Sequence, residues 1–419
     1  MKKVKGDLRM ETMTLKNHLQ VVLKPDSSSR SAVFAYAIKA GCNTEVGVPA
    51  GTAHFLEHML FKGSATKTAK KINQDAADLG TLPNAYTSED ETKYYIQVQS
   101  KYGMEALDLL SDFFWQPALP EEEIEKEKQV IIEEIHMYAD QPSSVSGEVL
   151  EGLLKRSSLL GTKKSVQKIQ RSHLLQFYNS HYHTGDVIFV ATGNFDEFAV
   201  LSYLERLQVH QPKDRAEQER REYDLQQKEA VVKRSVKQAH ISWAIPVAGY
   251  GSSDEPALEI IATILGAHGN ASSRLYDEIR EEKGLAYAVD VDYESFYDHG
   301  YLLGYMGLSA TYVNGAKEIL FKHLADLETS LVSAAELRRA IACLTGQLVI
   351  GMDDVLAQND SLSYSTLYGL EFDVDAFVAK VEAVTADEVL RVAQKYALAE
   401  NVYVASVVPK TWSAIEQLS

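Results

Sequence analysis

The feature of this sequence that most constrains its fold is an order of structural signals that runs twice. In the first half "LQVVLKP" and "SAVFAYAIKAG" alternate with β-branched residues and predict strands, and "PAGTAHFLEHMLFKG" predicts a buried helix ended by Gly63. A strand or hairpin is expected over "NAYTSEDETKYYIQVQ", then amphipathic helices around "YGMEALDLLSDFFW" and "PEEEIEKEKQVIIEEIHMY". A helix leading into a strand, "RSHLLQFYNSHYHTGDVIFVATGNFD", closes the half. After a charged, Gln-rich stretch the series returns, with "AHISWAIPVAGY" as strand, "EPALEIIATILGAHG" as buried helix, and "GLAYAVDVDYESF" with "GYLLGYMG" as a hairpin. Helices at "NGAKEILFKHLADL" and "SAAELRRAIACLTGQLV" follow, and "ADEVLRVAQKYALAENVYVASVVP" mirrors the end of the first half. Gly80 and Gly284 mark the repeat at an offset of 204. The expected class is therefore α+β, with two homologous domains: 1–210, a charged linker at 211–235, and 236–419. A length of 419 residues also exceeds what one core usually organises.

The chemistry lies in "HFLEH", residues 54 to 58. On a helix His54 and His58 are one turn apart on one side and can share a cation, while Glu57 stands on a neighbouring edge of that face. The pattern H-x-x-E-H inverts H-E-x-x-H, and in both a carboxylate serves a water while the histidines hold the metal. Chance placement would produce it roughly 0.05 times in a chain of this composition. A hydrolytic zinc needs a third protein ligand, and the helix "EKEKQVIIEEI" offers several acids. Glu127 and Glu134 share one face two turns apart, yet the residues themselves do not single out Glu134 over Glu133. Other histidines read as ordinary surface groups: His136 on the far side of its helix, and His181 and His183 in a helix-to-strand joint.

With these motifs the chain resembles the inverzincin zinc metallopeptidases: pitrilysin, insulin-degrading enzyme, and above all the short bacterial relatives of mitochondrial processing peptidase. That family follows H-x-x-E-H, some seventy-odd residues later, with a glutamate ligand preceded at seven residues by a second glutamate; here Glu134 lies 76 residues after His58 and seven after Glu127. "HMLFKGS", "LPNAYTSEDETKYY" and "SSRLYDEIREEKGLAYAV" are similar as well. The resemblance implies antiparallel-rich sheets packed with helices, the two halves enclosing a peptide chamber. It also implies one zinc ion per chain on His54, His58 and Glu134, with Glu57 as general base and Glu127 orienting a ligand histidine. Arg280 and Tyr287, seven residues apart as in the family's catalytic members, are implied as donors to the developing oxyanion. Asn84 and Ala85 match the edge strand that binds substrate by β-addition, and Phe61 is assigned to the pocket beside the scissile bond, although core packing is the commoner role for such an aromatic. Where many relatives carry two glycines before that strand, this chain has Gly80 and Thr81. At the offset of 204 the metal motif falls on Leu258, Ile261 and Ala262, so no second metal site is expected.

Bulk properties restrict the partners. A net charge of −17 disfavours nucleic acid and favours basic peptides at long range. No apolar run long enough to span a bilayer occurs, and none follows the basic N-terminal residues as a secretory signal would require. Cys42 and Cys343 are too far apart in sequence, and too bare of ligand-like neighbours, for a disulfide framework or cysteine metal site. The expectation is thus a bacterial cytoplasmic endopeptidase hydrolysing unfolded peptides of limited size, of presequence, signal-remnant or leader type. It would act alone, as a homodimer, or with a homologous subunit as a heterodimer; the alternative is a non-catalytic, peptide-binding scaffold.

Overall fold

The structure, a computed structural model, describes residues 11–211, 227–267, 270–370 and 373–413. The chain clusters into two units. One holds Met1–Ile135, Ser157–Arg220 and Gly351–Phe372; the other holds His136–Arg156, Arg221–Ile350 and Asp373–Ser419.

The first sequence half supplies β1 (Glu11–Thr14), β2 (Gln20–Pro25), β3 (Ser31–Ile38), α1 (Thr52–Leu60), α2 (Ala69–Asp78), β4 (Asn84–Thr87), β5 (Thr92–Gln99), α3 (Gly103–Trp115), α4 (Glu121–Ala139), α5 (Pro142–Leu153), α6 (Lys163–Lys168), α7 (Arg171–His181), β6 (Val187–Gly193) and α8 (Glu197–Arg206). The second supplies β7 (Glu229–Arg234), β8 (Gln238–Val247), α9 (Glu255–Leu265), β9 (Ala286–Ser295), β10 (Gly300–Ser309), α10 (Val313–Thr329), α11 (Ala334–Gly351), α12 (Val355–Leu367), α13 (Val374–Glu382), α14 (Ala386–Tyr396) and β11 (Tyr403–Pro409).

The duplication is explicit in the sheets. The first unit has strand order β1-β2-β6-β3-β5-β4 and the second β7-β11-β8-β10-β9. In the first, β2 and β6 run parallel, and β7 and β11 do so in the second, while the remaining pairs are antiparallel. β7 thus takes the place of β2, which corrects the linker expected over 211–235: residues 229–234 are a strand, and 212–226 lie outside the described residues. The charged, Gln-rich stretch before β7 made the whole segment read as solvated, and in the structure β7 alternates half-buried and exposed positions over its first four residues. Helix α1 also ends earlier than its glycine suggested, at Leu60, with Gly63 in a following turn at φ +134°.

The units do not follow the expected cut between 1–210 and 236–419, because each takes one helix from the other sequence half. α5 lays Leu150 against Ala244, Tyr301, Tyr403 and Ala405 of the second unit's sheet, and Ser146 bonds Ser242 at 2.7 Å. Its counterpart α12 covers Val22, Ala37, Ile188 and Val190 of the first unit's sheet with Leu362. There the fully buried Asn359 amide donates to the Val190 carbonyl at 3.2 Å, and Lys93 Nζ meets Asp360 at 2.5 Å. Apolar faces unsatisfied by their own half fix this exchange. On the opposite sheet faces lie the two main cores, the first around Phe34, Tyr36, Phe55 and Phe114, the second around Ile241, Trp243, Ile261 and Leu320.

Candidate metal centre

Helix α1 begins at Gly51 in the left-handed region, φ +89°, where a Cβ would meet the Leu160 carbonyl oxygen at 2.4 Å. The unpaired amides of its first turn are met by the Glu45 carboxylate, which accepts from Gly51 N at 2.9 Å and Ala53 N at 2.7 Å. Burial raises that carboxyl to about 7 in spite of these bonds. With its start anchored, α1 buries Phe55, Leu56, Met59 and Leu60 in the first core and leaves the two histidines on one side.

His54 and His58 stand with ring centroids 4.6 Å apart. Opposite them α4 presents Glu134, whose Oε2 lies 3.9 Å from His54 Nε2 and 3.8 Å from His58 Nε2. The ligand atoms of all three residues lie within 4.8 Å of one another, the only such grouping of His, Cys, Asp or Glu among the described residues. Ligands held at about 2.0–2.1 Å by one zinc ion stand at most about 4.2 Å apart, so both imidazole-to-carboxylate gaps suit a shared ion. Glu133, which spacing alone does not separate from Glu134 and which the family resemblance passes over, is exposed to solvent.

The electrostatics suit metal ligation. Burial, aided by neighbouring His58, pushes the His54 imidazole down to about 3 and keeps it in the neutral, ligating form; its Nδ1 is buried with no partner among the described residues. Burial alone would lower His58 too, but its Nδ1 bond to Glu127 Oε1 at 2.8 Å and the nearby Glu57 carry it above the usual value. Glu127 is 3% exposed, and burial works to raise its carboxyl. The bonds from His58 and from Lys62, whose Nζ is 2.6 Å from Oε2, win and hold it below the carboxylate range. Such a partner fixes the tautomer and ring orientation of a ligand histidine.

Glu57 is buried beside the pair. Burial raises its carboxyl, opposed mainly by a bond from Thr87 Oγ1 to its Oε2 at 2.5 Å. Thr87 closes β4, the edge strand that also carries Asn84 and Ala85. Thr81, in place of a second glycine, bonds the Gln97 carbonyl and ties down the approach to that strand. Phe61 caps the C-terminus of α1 and packs on Phe113 and Tyr94, with ring centroids at 5.2 and 6.0 Å. Thr87 and Lys62 were missing from the sequence reading. Both lie inside motifs it quoted, but nothing in their spacing reported a contact with Glu57 or Glu127.

Arg280 and Tyr287 belong to the second unit. Arg280 sits on a π-helical turn, Tyr276–Glu282, with its guanidinium over the Tyr276 ring at 4.8 Å. Tyr287 is the extra residue of a β-bulge, since Gly307 pairs with Ala288 and Leu308 with Ala286. Its ring rests on Gly307, where a Cβ would come within 2.4 Å of Cζ, and its hydroxyl lies 3.5 Å from that of Tyr305, which bonds His240 Nδ1 at 2.7 Å.

Among the remaining candidates, His136 is exposed as expected. His181 and His183, expected at the surface, are instead 5% and 4% exposed. The joint between α7 and β6 folds inward there, and His183 bonds the Ser180 carbonyl and the Gly185 amide. Helix α9 carries Leu258, Ile261 and Ala262, all fully buried in the second core.

Fold and site together define a duplicated α+β protein with one metal-competent half. Comparison with known proteins places it: residues 20–163 match the profile "Insulinase (Peptidase family M16)" and residues 168–344 match "Peptidase M16 inactive domain". The chain belongs to peptidase family M16. It is similar to the zinc protease YmxG of Bacillus subtilis, 28% identical over 401 residues that cover 92% of this chain and 96% of that one. A zinc protease of Streptomyces coelicolor is 29% identical over 411 residues, covering 93% and 88%. Among solved structures, a protease from Helicobacter pylori superposes with a TM-score of 0.87 at 20% identity, covering 96% of this chain and 99% of the other, a likeness of fold alone. No single helix among the described residues is long and apolar enough to cross a membrane.

Proposed function

We propose that this chain is a zinc-dependent endopeptidase for unfolded peptides of limited size, such as presequences, signal-peptide remnants or leader segments. The observation that carries the reading is the convergence of His54, His58 and Glu134 on α1 and α4, with the Glu57 carboxylate adjoining them. The naming of similar proteins as zinc proteases supports the choice of metal. Zinc held by those three residues would supply Lewis acidity, polarising a peptide carbonyl and bringing the pKa of a water to about 7.

The chain's own residues do the rest. Neutral His54 offers Nε2, and Glu127 fixes His58 so that its Nε2 faces Glu134. Glu57, with Oε2 engaged by Thr87, has Oε1 to take the proton of the attacking water and return it to the leaving nitrogen. A substrate strand would pair along Asn84 and Ala85 through main-chain hydrogen bonds, which read extension more than sequence. Arg280 and Tyr287 would donate to the oxyanion as it forms.

Metal analysis and cleavage of a quenched basic peptide by wild type and Glu57→Gln test the reading. The expectation is one zinc per chain in both, with turnover falling by at least about 100-fold in the variant. Zinc-loaded protein with equal turnover in both, or none in either, would make the chain a peptide-binding module.

A further inference from the structure

We propose that Thr87 is a positioning residue for Glu57, a role that rests on the peptidase reading and goes beyond it. Its hydroxyl donates to Glu57 Oε2 at 2.5 Å, and the two residues are only 7% and 9% exposed. Among the described residues no other side chain hydrogen-bonds Glu57, so Thr87 alone decides which carboxylate oxygen is engaged and which is presented. A glutamate side chain turns about three bonds, whereas a β-branched threonine on a strand is confined at χ1. The bond therefore passes the order of the sheet to a group that would otherwise rotate.

Satisfying a buried carboxylate would by itself explain a hydroxyl at this position. The location of the donor says more. Thr87 is the last residue of β4, paired with Thr92 of β5, and Thr92 in turn bonds the Ala40 carbonyl at 2.8 Å. β4 is the outermost strand of its sheet, and among the described residues no strand pairs with its far edge. A peptide adding to that edge would lie along the same strand that ends in the hydroxyl holding the base, so one element sets both the path of the substrate and the aim of Glu57.

The test compares Thr87→Val, which keeps the shape and drops the hydroxyl, with Thr87→Ser, which keeps the hydroxyl, and uses Glu57→Gln as control. Zinc content, thermal midpoint, kcat and KM are measured on the full chain with the same quenched peptide. Thr87→Val is expected to hold zinc normally, keep KM within about twofold and lose about 10- to 100-fold in kcat, with Thr87→Ser recovering most of the loss. Wild-type kcat in Thr87→Val, a loss confined to KM or to zinc content, or no recovery in Thr87→Ser would each overturn the assignment. If Thr87→Val does not fold, Thr87→Ala takes its place with the same expectations. An inactive wild type, or a fully active Glu57→Gln, removes the peptidase reading instead, and that pattern is distinct from an active wild type, a dead Glu57→Gln and an undisturbed Thr87→Val.

Discussion

A metal ligand and an oxyanion donor leave different traces when removed. On the proposed reading Glu134→Gln takes away the carboxylate charge that faces both imidazoles, so metal retention should fall, whereas Tyr287→Phe, in the other unit, should leave zinc bound and slow turnover. Chelator competition on the two variants checks this, and normal retention in Glu134→Gln would move the third ligand elsewhere. A second residue-scale prediction concerns pH. Glu91 is 4% exposed, accepts from the Tyr86 hydroxyl at 2.7 Å, and is raised by burial to about 7. A carboxyl raised on folding stabilises the protein below its unfolded value near 4.5, and that contribution is lost as pH rises through about 7. Glu91→Gln should therefore raise the unfolding free energy at pH 8 by up to about 3 kcal/mol, and with it the midpoint, and change both little at pH 4.5. An unchanged midpoint at pH 8 would contradict this. The imidazole pair and Glu57 were legible because helical periodicity alone places them together. Choosing Glu134 over Glu133 took the family resemblance, and finding Thr87 and Lys62 depends on how α4 and β4 approach α1, which no local spacing encodes.

Among elements, the β9–β10 pair shows how a strand irregularity serves a side chain. The bulge turns Tyr287 outward over Gly307, and only a residue without Cβ leaves room for the ring. Gly307→Ala should displace the phenol, lowering turnover several-fold with zinc content intact and the fold retained, since Tyr287 is 48% exposed and can swing into solvent. Peptide kinetics beside metal analysis would show it, and wild-type turnover would mean that the seat is irrelevant. Most elements could be read from periodicity, including the hairpin of β4 with β5 and the long amphipathic α3 and α4. β7 could not, because its short apolar core of Ala230, Val231 and Val232 is bracketed by charged residues and adjoins a stretch with the composition of a linker. Nor were α5 and α12 among the expected helices, and an apolar helix face would in any case state that it must be covered but not by which sheet.

For the whole molecule, the net charge of −17 predicts that cationic peptides associate faster as salt is lowered. Stopped-flow binding of a basic peptide to Glu57→Gln between low and 0.15 M salt, where the Debye length shrinks to about 8 Å, measures it, and a flat salt dependence refutes steering. The reciprocal helix exchange has a consequence for how such a protein can be divided. Fragments made by cutting the gene within codons 212–226 would each lack a helix that caps their own sheet and carry one with nothing to cover. Produced separately, they should aggregate; produced in the same cell, they should recover one another as a soluble, co-purifying pair without a covalent link.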